Sequence, residues 1–447
     1  MIKSAIALSA AFAAGVDAFW RMECPGRIGL ARLDPIVNPG DVSNHVHSIH
    51  GSSGFYDNSS CSDLMAGDCT SCRVKQDKSS YWHPAVYFKN TDTGKIELVE
   101  QVGGMLAYYL LYGDDIVAFP DGFRMLSGNT ERRKYTLGDA TKPDPDKSTW
   151  GSLGQTSQED LAQRAIGFNC LNYDRDPEPT LYRHYLPDKS FLDQNCKNGL
   201  RFEIMFPSCW KGGNAIDSPN HMDHVAFPDL VMNGACPKSH PHRLPSLMYE
   251  VIWNTNQFKG KNGHFMLSNG DTTGYGYHGD FITGWDEAFL QKAVKTCTNQ
   301  SGRIEDCPLF DILSESEVSN CAMQAPLPQA LHKENVEGPM MKLPGNGESG
   351  HKGDKGDKGG KGLYPLPIPV PAPAKEPVKE PVEEPVKEPV EEQEPSTPDY
   401  PIVGQIFKET SSLAAERPAP THLASAALDA AAKVAPEEKP TTSAAAT

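Results

Sequence analysis

Eleven cysteines, all between Cys24 and Cys321, limit this chain more than any other feature, and none falls in the last 126 of its 447 residues. Cysteines in such numbers are either disulfide staples or ligands and redox groups, and the compartment decides between them. Here the N-terminus points to the compartment. Lys3 is the only charged side chain before Asp17, and an apolar, small-residue stretch runs from Ala5 to Gly15 into Val16-Asp17-Ala18. That is the layout of a signal peptide, and it is too short to span a bilayer. Residues 1–18 are therefore predicted to be a signal peptide, with the mature chain starting near Phe19. The protein is expected to be secreted, either extracellular or cell-wall associated, with most cysteines paired. Eleven is odd, so at least one cysteine is expected to be free or paired outside the chain. Cys69-Thr-Ser-Cys72 is read as disulfide-forming rather than as a zinc or redox pair. Asn58-Ser-Ser and Asn299-Gln-Ser are glycosylation sequons.

The net charge is −16 and no basic stripe is visible, which argues against a nucleic-acid partner. No second long apolar segment follows the leader, so no transmembrane segment is expected. Composition changes near residue 325. From Pro326 to Thr447 there are 20 of the 37 prolines and only three aromatics, Tyr364, Tyr400 and Phe407. So little bulky apolar surface cannot offset the entropy of ordering the chain, and residues 326–447 are expected to be a disordered tail. Glycine recurs at every third position between Gly350 and Gly362. A proline-rich run, Tyr364 to Pro373, follows, and then a Lys-Glu-Pro-Val repeat starting at Lys375. These read as a linker and a stiff charged spacer.

Residues 19–325 remain as one large globular domain. Short aromatic or β-branched runs mark strands at 85–88, 96–99, 106–112, 200–206 and 248–253, separated by Gly, Pro, Asn and Asp. Helical patterns are confined to 157–164 and 285–297. The expected fold is mainly β: a β-sandwich or jelly roll with long disulfide-pinned loops.

Histidine is the residue type most able to carry chemistry here. Of 14 histidines, eight fall in four short motifs: Asn44-His-Val-His-Ser-Ile-His50, Asn220-His-Met-Asp-His224, Ser239-His-Pro-His242 and Tyr277-His-Gly-Asp280. On an extended strand His45 and His47 point to one face, and so do His278 and Asp280. His221 and His224 can converge on a turn. Imidazole serves both as a metal ligand and as a proton shuttle. The candidate catalytic residues are His47, His221, His224, His278 and Asp280. The candidate metal ligands are His45 and His47, for a divalent metal. Arg243, Tyr275, Trp210 and Asp271 are the candidate binding residues, with Arg243 or Tyr275 holding an anionic group. Trp82, Trp210 and Tyr275 are the aromatics placed to stack on sugar rings. The competing reading is that each histidine merely fastens a loop and each large aromatic belongs to the core. The sequence contains no His-Glu-x-x-His, no Gly-x-Ser-x-Gly and no phosphate-binding glycine loop.

Several longer segments carry a resemblance. They are Asp34-Pro-Ile-Val-Asn-Pro-Gly40, His45-Val-His-Ser-Ile-His-Gly51, Phe206-Pro-Ser-Cys-Trp210, His221 with His224, and Ser268-Asn-Gly-Asp271 continuing through Gly274-Tyr-Gly276 and His278-Gly-Asp280 to Gly284-Trp-Asp286. In this order the chain resembles the fungal secreted family named domain of unknown function 1996. The resemblance implies an extracellular protein and supplies no mechanism. Two departures stand out: Lys211 and Asn220 occupy positions where the family pattern leads one to expect aspartate. The functional expectation is a secreted cell-wall or polysaccharide-associated protein with a histidine-rich site, a hydrolase or lyase acting on glycosidic bonds. The alternatives are a non-catalytic cell-wall or adhesion module and an extracellular copper- or zinc-binding protein.

Overall fold

The strand Ala18–Cys24 shows how the body is built: Ala18, Trp20, Met22 and Cys24 point inward, and Phe19, Arg21 and Glu23 outward. This period of two is the signature of a sheet with one face on a core. The computed structural model describes residues 18–345. The expected signal peptide up to residue 17, and the glycine-triplet, proline-rich and repeat segments from 346 onward, lie outside the described residues.

The fold is mainly β, with sixteen strands in four antiparallel sheets among the described residues. The first five-stranded sheet runs in the order Ala18–Cys24, Gln101–Leu111, Ser246–Trp253, Leu200–Met205, Ile166–Cys170. The second runs Gly29–Ala31, His47–Gly51, Ser80–Pro84, His278–Ile282, Arg124–Gly128. These two sheets face one another across the main core. Tyr81 of the second donates or accepts at 2.7 Å with Tyr109 of the first, and Tyr249 OH donates to the Asp280 carbonyl at 2.7 Å. Gly279 is packed tightly under side chains of the first layer: a Cβ there would stand 2.9 Å from the Phe206 ring and 3.3 Å from Ile204 Cγ2. Two three-stranded sheets make up the rest of the β structure among the described residues.

The central strands of the second sheet do not alternate. Every residue of His47–Gly51, Ser80–Pro84 and His278–Ile282 is buried. Their outer face lies under a second apolar cluster, formed by Ile28, Leu33, Ile36, Phe55, Leu64 and Leu331 over Ile49, Trp82 and Ile282 of the sheet. Polar side chains on that face are therefore shut away from water.

Five disulfides close the loops: Cys24–Cys72, Cys69–Cys321, Cys170–Cys196, Cys209–Cys236 and Cys297–Cys307. Cys61 is the free cysteine. Cys69 and Cys72 each bond to a distant cysteine rather than to one another.

The expected helices form as Gln158–Arg164, capped by Ser157, and Glu287–Thr296, capped by Asp286. Residues 326–345, grouped with the tail on composition, pack on the body. Met340 exchanges both backbone bonds with Ile96, Glu334 pairs with Arg32 at 2.8 Å, and Leu331 and Leu343 are buried. Aliphatic side chains do this packing, which a count of aromatics overlooks.

Candidate metal centre

The register of the second sheet brings two of the histidine motifs together. His47 lies opposite Pro84, and Asp280 opposite Trp82. Extending that register by two residues sets His278 opposite Pro84 as well, so His47 and His278 stand two strands apart on one face, with only a proline between them. His45 precedes its strand and arrives from a loop. The loop is held through the Val46 carbonyl, which accepts from Ala85 N–H at 3.1 Å and from Ser268 Oγ at 2.6 Å.

The three rings meet. Ring centroids are 4.3 Å apart for His45–His47, 5.0 Å for His45–His278 and 5.8 Å for His47–His278. One nitrogen from each lies within 4.8 Å of the other two. His45 Nε2 is 3.0 Å from His278 Nε2.

The outer nitrogens settle the tautomers. His47 Nδ1 donates to the Leu33 carbonyl at 3.0 Å, and His278 Nδ1 to the Gly276 carbonyl at 2.9 Å. A carbonyl can only accept, so both protons sit on Nδ1. His45 Nδ1 donates likewise to Asn44 Oδ1. All three Nε2 atoms are left as lone pairs directed at one another. His47 Nε2 is buried with no hydrogen-bond partner at all. Burial holds His45 and His47 well below the ordinary histidine range, and each is lowered further by its imidazole neighbours. Burial lowers His278 to about 4, with the Gly276 bond opposing and the nearby Arg133 charge assisting. The cluster is thus neutral, electron-rich and unpaired.

Asp280 sits two residues along from His278 on the same face. It is 1% exposed, and its Oδ2 has no partner. Burial raises its carboxyl well above the usual range, and Asp34 beside it raises it further. Asp34 is itself buried and raised, although its Oδ1 accepts from the Ile36 and Val37 amides at 3.1 and 3.0 Å. Two carboxyl groups therefore adjoin the histidines without joining their ligand group.

The other expected site residues lie elsewhere. His221, in a left-handed conformation with φ 56°, donates from Nδ1 to Asp217 Oδ1 at 2.8 Å and is near enough to act electrostatically on Asp34. His224 commits both nitrogens: Nε2 donates to the Arg124 carbonyl at 2.7 Å and Nδ1 accepts from Ser218 Oγ at 3.0 Å. Neither belongs to the converging set. Arg243 is buried and spends its guanidinium on Ser208 Oγ and the Gly234 carbonyl. Trp210 is buried with its indole N–H on the Ala215 carbonyl, and Trp82 is fully buried. The expectation that these two rings are exposed for stacking on sugars is corrected: both are core. Tyr275 is half-buried beside Tyr135, with ring centroids 6.2 Å apart. Asp271 acts at one remove. Its Oδ2 accepts from Gly276 N–H at 2.7 Å and its Oδ1 from Thr273, which fixes the turn whose Gly276 carbonyl holds His278.

Asp34, Asn44, Arg133 and the Leu33 and Gly276 carbonyls were not anticipated. Asp34 and Asn44 lie inside quoted motifs, so their signal was present; carbonyl partners leave none. Two adjoining grooves of about 380 and 480 Å³ lie around Lys189 and Gly263, and the three histidines line neither.

A family model described as "Domain of unknown function (DUF1996)" matches residues 34–285. The chain belongs to this family. The match takes in His45, His47, His278, Asp34 and Asp280 together. No curated protein and no solved structure matches the chain. Among the described residues of this DUF1996 protein, no helix is long and apolar enough to cross a membrane.

Proposed function

We propose that this DUF1996 protein is an exported metal-binding protein whose centre is formed by the Nε2 atoms of His45, His47 and His278. One observation carries the reading: three buried imidazoles converge, each with its Nδ1 proton committed outward and its Nε2 lone pair directed inward. Without a cation this arrangement leaves buried acceptors unpaired, which costs about 1–3 kcal/mol per group. With a cation it is a first coordination sphere already oriented by its hydrogen-bonded surroundings. The dimensions fit. Ligands about 2.0–2.1 Å from a tetrahedral ion stand about 3.3 Å from one another, against 3.0 Å for His45–His278 and no more than 4.8 Å for the set.

Imidazole ligands favour zinc(II) or copper(II) over calcium or magnesium. Three protein ligands leave a position open, the pattern of a catalytic rather than a closed structural site. Five disulfides suit maturation in an oxidising compartment, in line with the expected leader. The test is metal content. Protein stripped with chelator and titrated with zinc(II) or copper(II) should bind one ion per chain, and His47→Ala and His278→Ala should each abolish it. Unchanged binding by folded variants would remove the reading.

The polysaccharide-directed reading keeps one supporting observation. The neighbouring carboxyls of Asp34 and Asp280 lie beside the histidines, and carboxyl pairs serve glycoside cleavage. Screening the metal-loaded protein against a glycan array tests it. The body followed by a charged, proline-rich spacer remains our proposal for the chain's organisation.

A further inference from the structure

We propose that the two adjoining grooves around Lys189 and Gly263 form one binding cleft for a neutral oligosaccharide. The proposal rests on the polysaccharide-directed reading, to which it gives a place on the chain, and it is independent of the metal centre.

The cleft follows from the edge of a sheet. Gly263–Leu267 is an outer strand of a three-stranded sheet and pairs on one side with Val86–Asn90. Across its other side stand the Leu186-Pro187 segment and the start of the helix Lys189–Asn195. Leu186 N–H donates to the Thr273 carbonyl at 2.8 Å, which ties that segment to the wall bearing Thr272. A helix cannot continue a strand's hydrogen-bond ladder, so a trough is left between the two. The grooves of about 380 and 480 Å³ share Lys189, Ser190 and Gly263 and therefore run into one another. Each falls in the range of about 300–1,000 Å³ that holds small ligands.

Charge decides what the trough can take. Two lysines and three aspartates line it, and each is already engaged. Lys189 pairs with Asp193 at 2.6 Å, and Asp188 accepts from Ser190 Oγ and Phe191 N–H, both at 2.8 Å. Asp92 accepts from Asn262 Nδ2 at 3.0 Å, and Lys261 lies over the Phe258 ring at 4.8 Å. This near-balance of engaged charges selects neither an anion nor a cation. Uncommitted neutral groups do remain. Among the described residues the His264 imidazole and the Thr91 and Thr272 hydroxyls make no hydrogen bond. Burial and the Lys89 charge hold His264 below the ordinary histidine range, so its neutral ring offers one donor and one acceptor. Leu186, Pro187 and Phe265 add an apolar strip. Tyr185 and Tyr275 continue the two wall segments. Both are half-buried, and Tyr275 lies on Tyr135 with ring centroids 6.2 Å apart and planes 21° apart. Neutral donors and acceptors beside an apolar strip and aromatic rings match a sugar ring, which carries hydroxyls around its edge and C–H groups on its faces.

The experiment is calorimetry on the full-length protein with cellohexaose, laminarihexaose and chitohexaose as neutral probes. Oligogalacturonate and an uncharged Ser/Thr-rich peptide are the controls. The expected result is binding of a neutral hexaose, with oligogalacturonate and the peptide each at least about tenfold weaker. His264→Ala and Tyr275→Ala should each weaken hexaose binding about tenfold, the equivalent of one lost hydrogen bond or ring contact. Thr272→Trp, which fills the cleft from an exposed position, should abolish it. The unfolding midpoint of each variant is measured alongside, so that only folded protein is compared. Unchanged binding by folded His264→Ala and Thr272→Trp, or tighter binding of the anion or the peptide than of any hexaose, overturns the proposal and leaves the polysaccharide-directed reading to the glycan array. No neutral glycan bound in either experiment overturns both.

Discussion

Replacing Asp77 with asparagine should flatten the pH dependence of folding stability. Asp77 is fully buried in the main core. Its Oδ1 accepts from Ser79 N–H at 2.8 Å and its Oδ2 from the Tyr81 hydroxyl. Tyr81 in turn bonds Tyr109, whose oxygen accepts from the Trp285 indole at 2.9 Å. Burial wins over these hydrogen bonds and raises the carboxyl from 3.8 to about 6. The sign follows directly. A carboxyl that is harder to ionise in the fold than in the unfolded chain contributes its full stability below about pH 4. It loses that contribution as pH rises towards 6, and stability is level above that. At about 1.4 kcal/mol per pH unit the loss is about 3 kcal/mol. Asparagine does not titrate, so Asp77→Asn should remove that slope. Its altered bond to Tyr81 should cost about 1 kcal/mol at every pH. Urea unfolding at pH 4 and pH 7, in chelator and without reductant, measures both terms. The contribution lost between pH 4 and pH 7, about 2 kcal/mol of the full loss because the unfolded carboxyl is already partly ionised at pH 4, should be missing in Asp77→Asn. An equal difference in both proteins would refute the reasoning.

Three further outcomes follow from the site. Asp271→Ala should weaken zinc affinity about 10–100-fold through the Gly276 turn, as titration of folded variant would show. His224→Ala should lower stability by about 1–3 kcal/mol in denaturant unfolding, because it strands the Arg124 carbonyl, yet leave metal stoichiometry unchanged. Replacing both Cys69 and Cys321 by serine should cost about 2–5 kcal/mol, read as an earlier midpoint in urea, since that bond closes a separation of 252 residues.

Part of this site was legible before any coordinates. An alternating His-x-His and His-x-Asp on extended chain put His45 and His47, and His278 and Asp280, on shared faces. What the sequence could not show is that these two strands lie either side of Ser80–Pro84 in one sheet, since antiparallel order depends on long-range pairing. His221 and His224 look equally promising as a motif, but their partners are a carbonyl at Arg124 and the side chains of Ser218 and Asp217. Whether a histidine fastens a loop or faces a neighbour is decided by such contacts. Trp82 and Trp210 illustrate the converse: a large aromatic on a strand carries no mark of whether a second apolar layer covers it. The strands Ser80–Pro84 and His278–Ile282 escaped detection for the same reason, because burial on both faces erases alternation.

The most direct test of the metal centre is an anomalous-difference map from a crystal of the zinc-loaded protein, recorded at the zinc absorption edge. The expected result is one peak about 2.0–2.1 Å from Nε2 of each of His45, His47 and His278. A fully loaded crystal with no peak between those three rings, or with its zinc bound elsewhere, would contradict it.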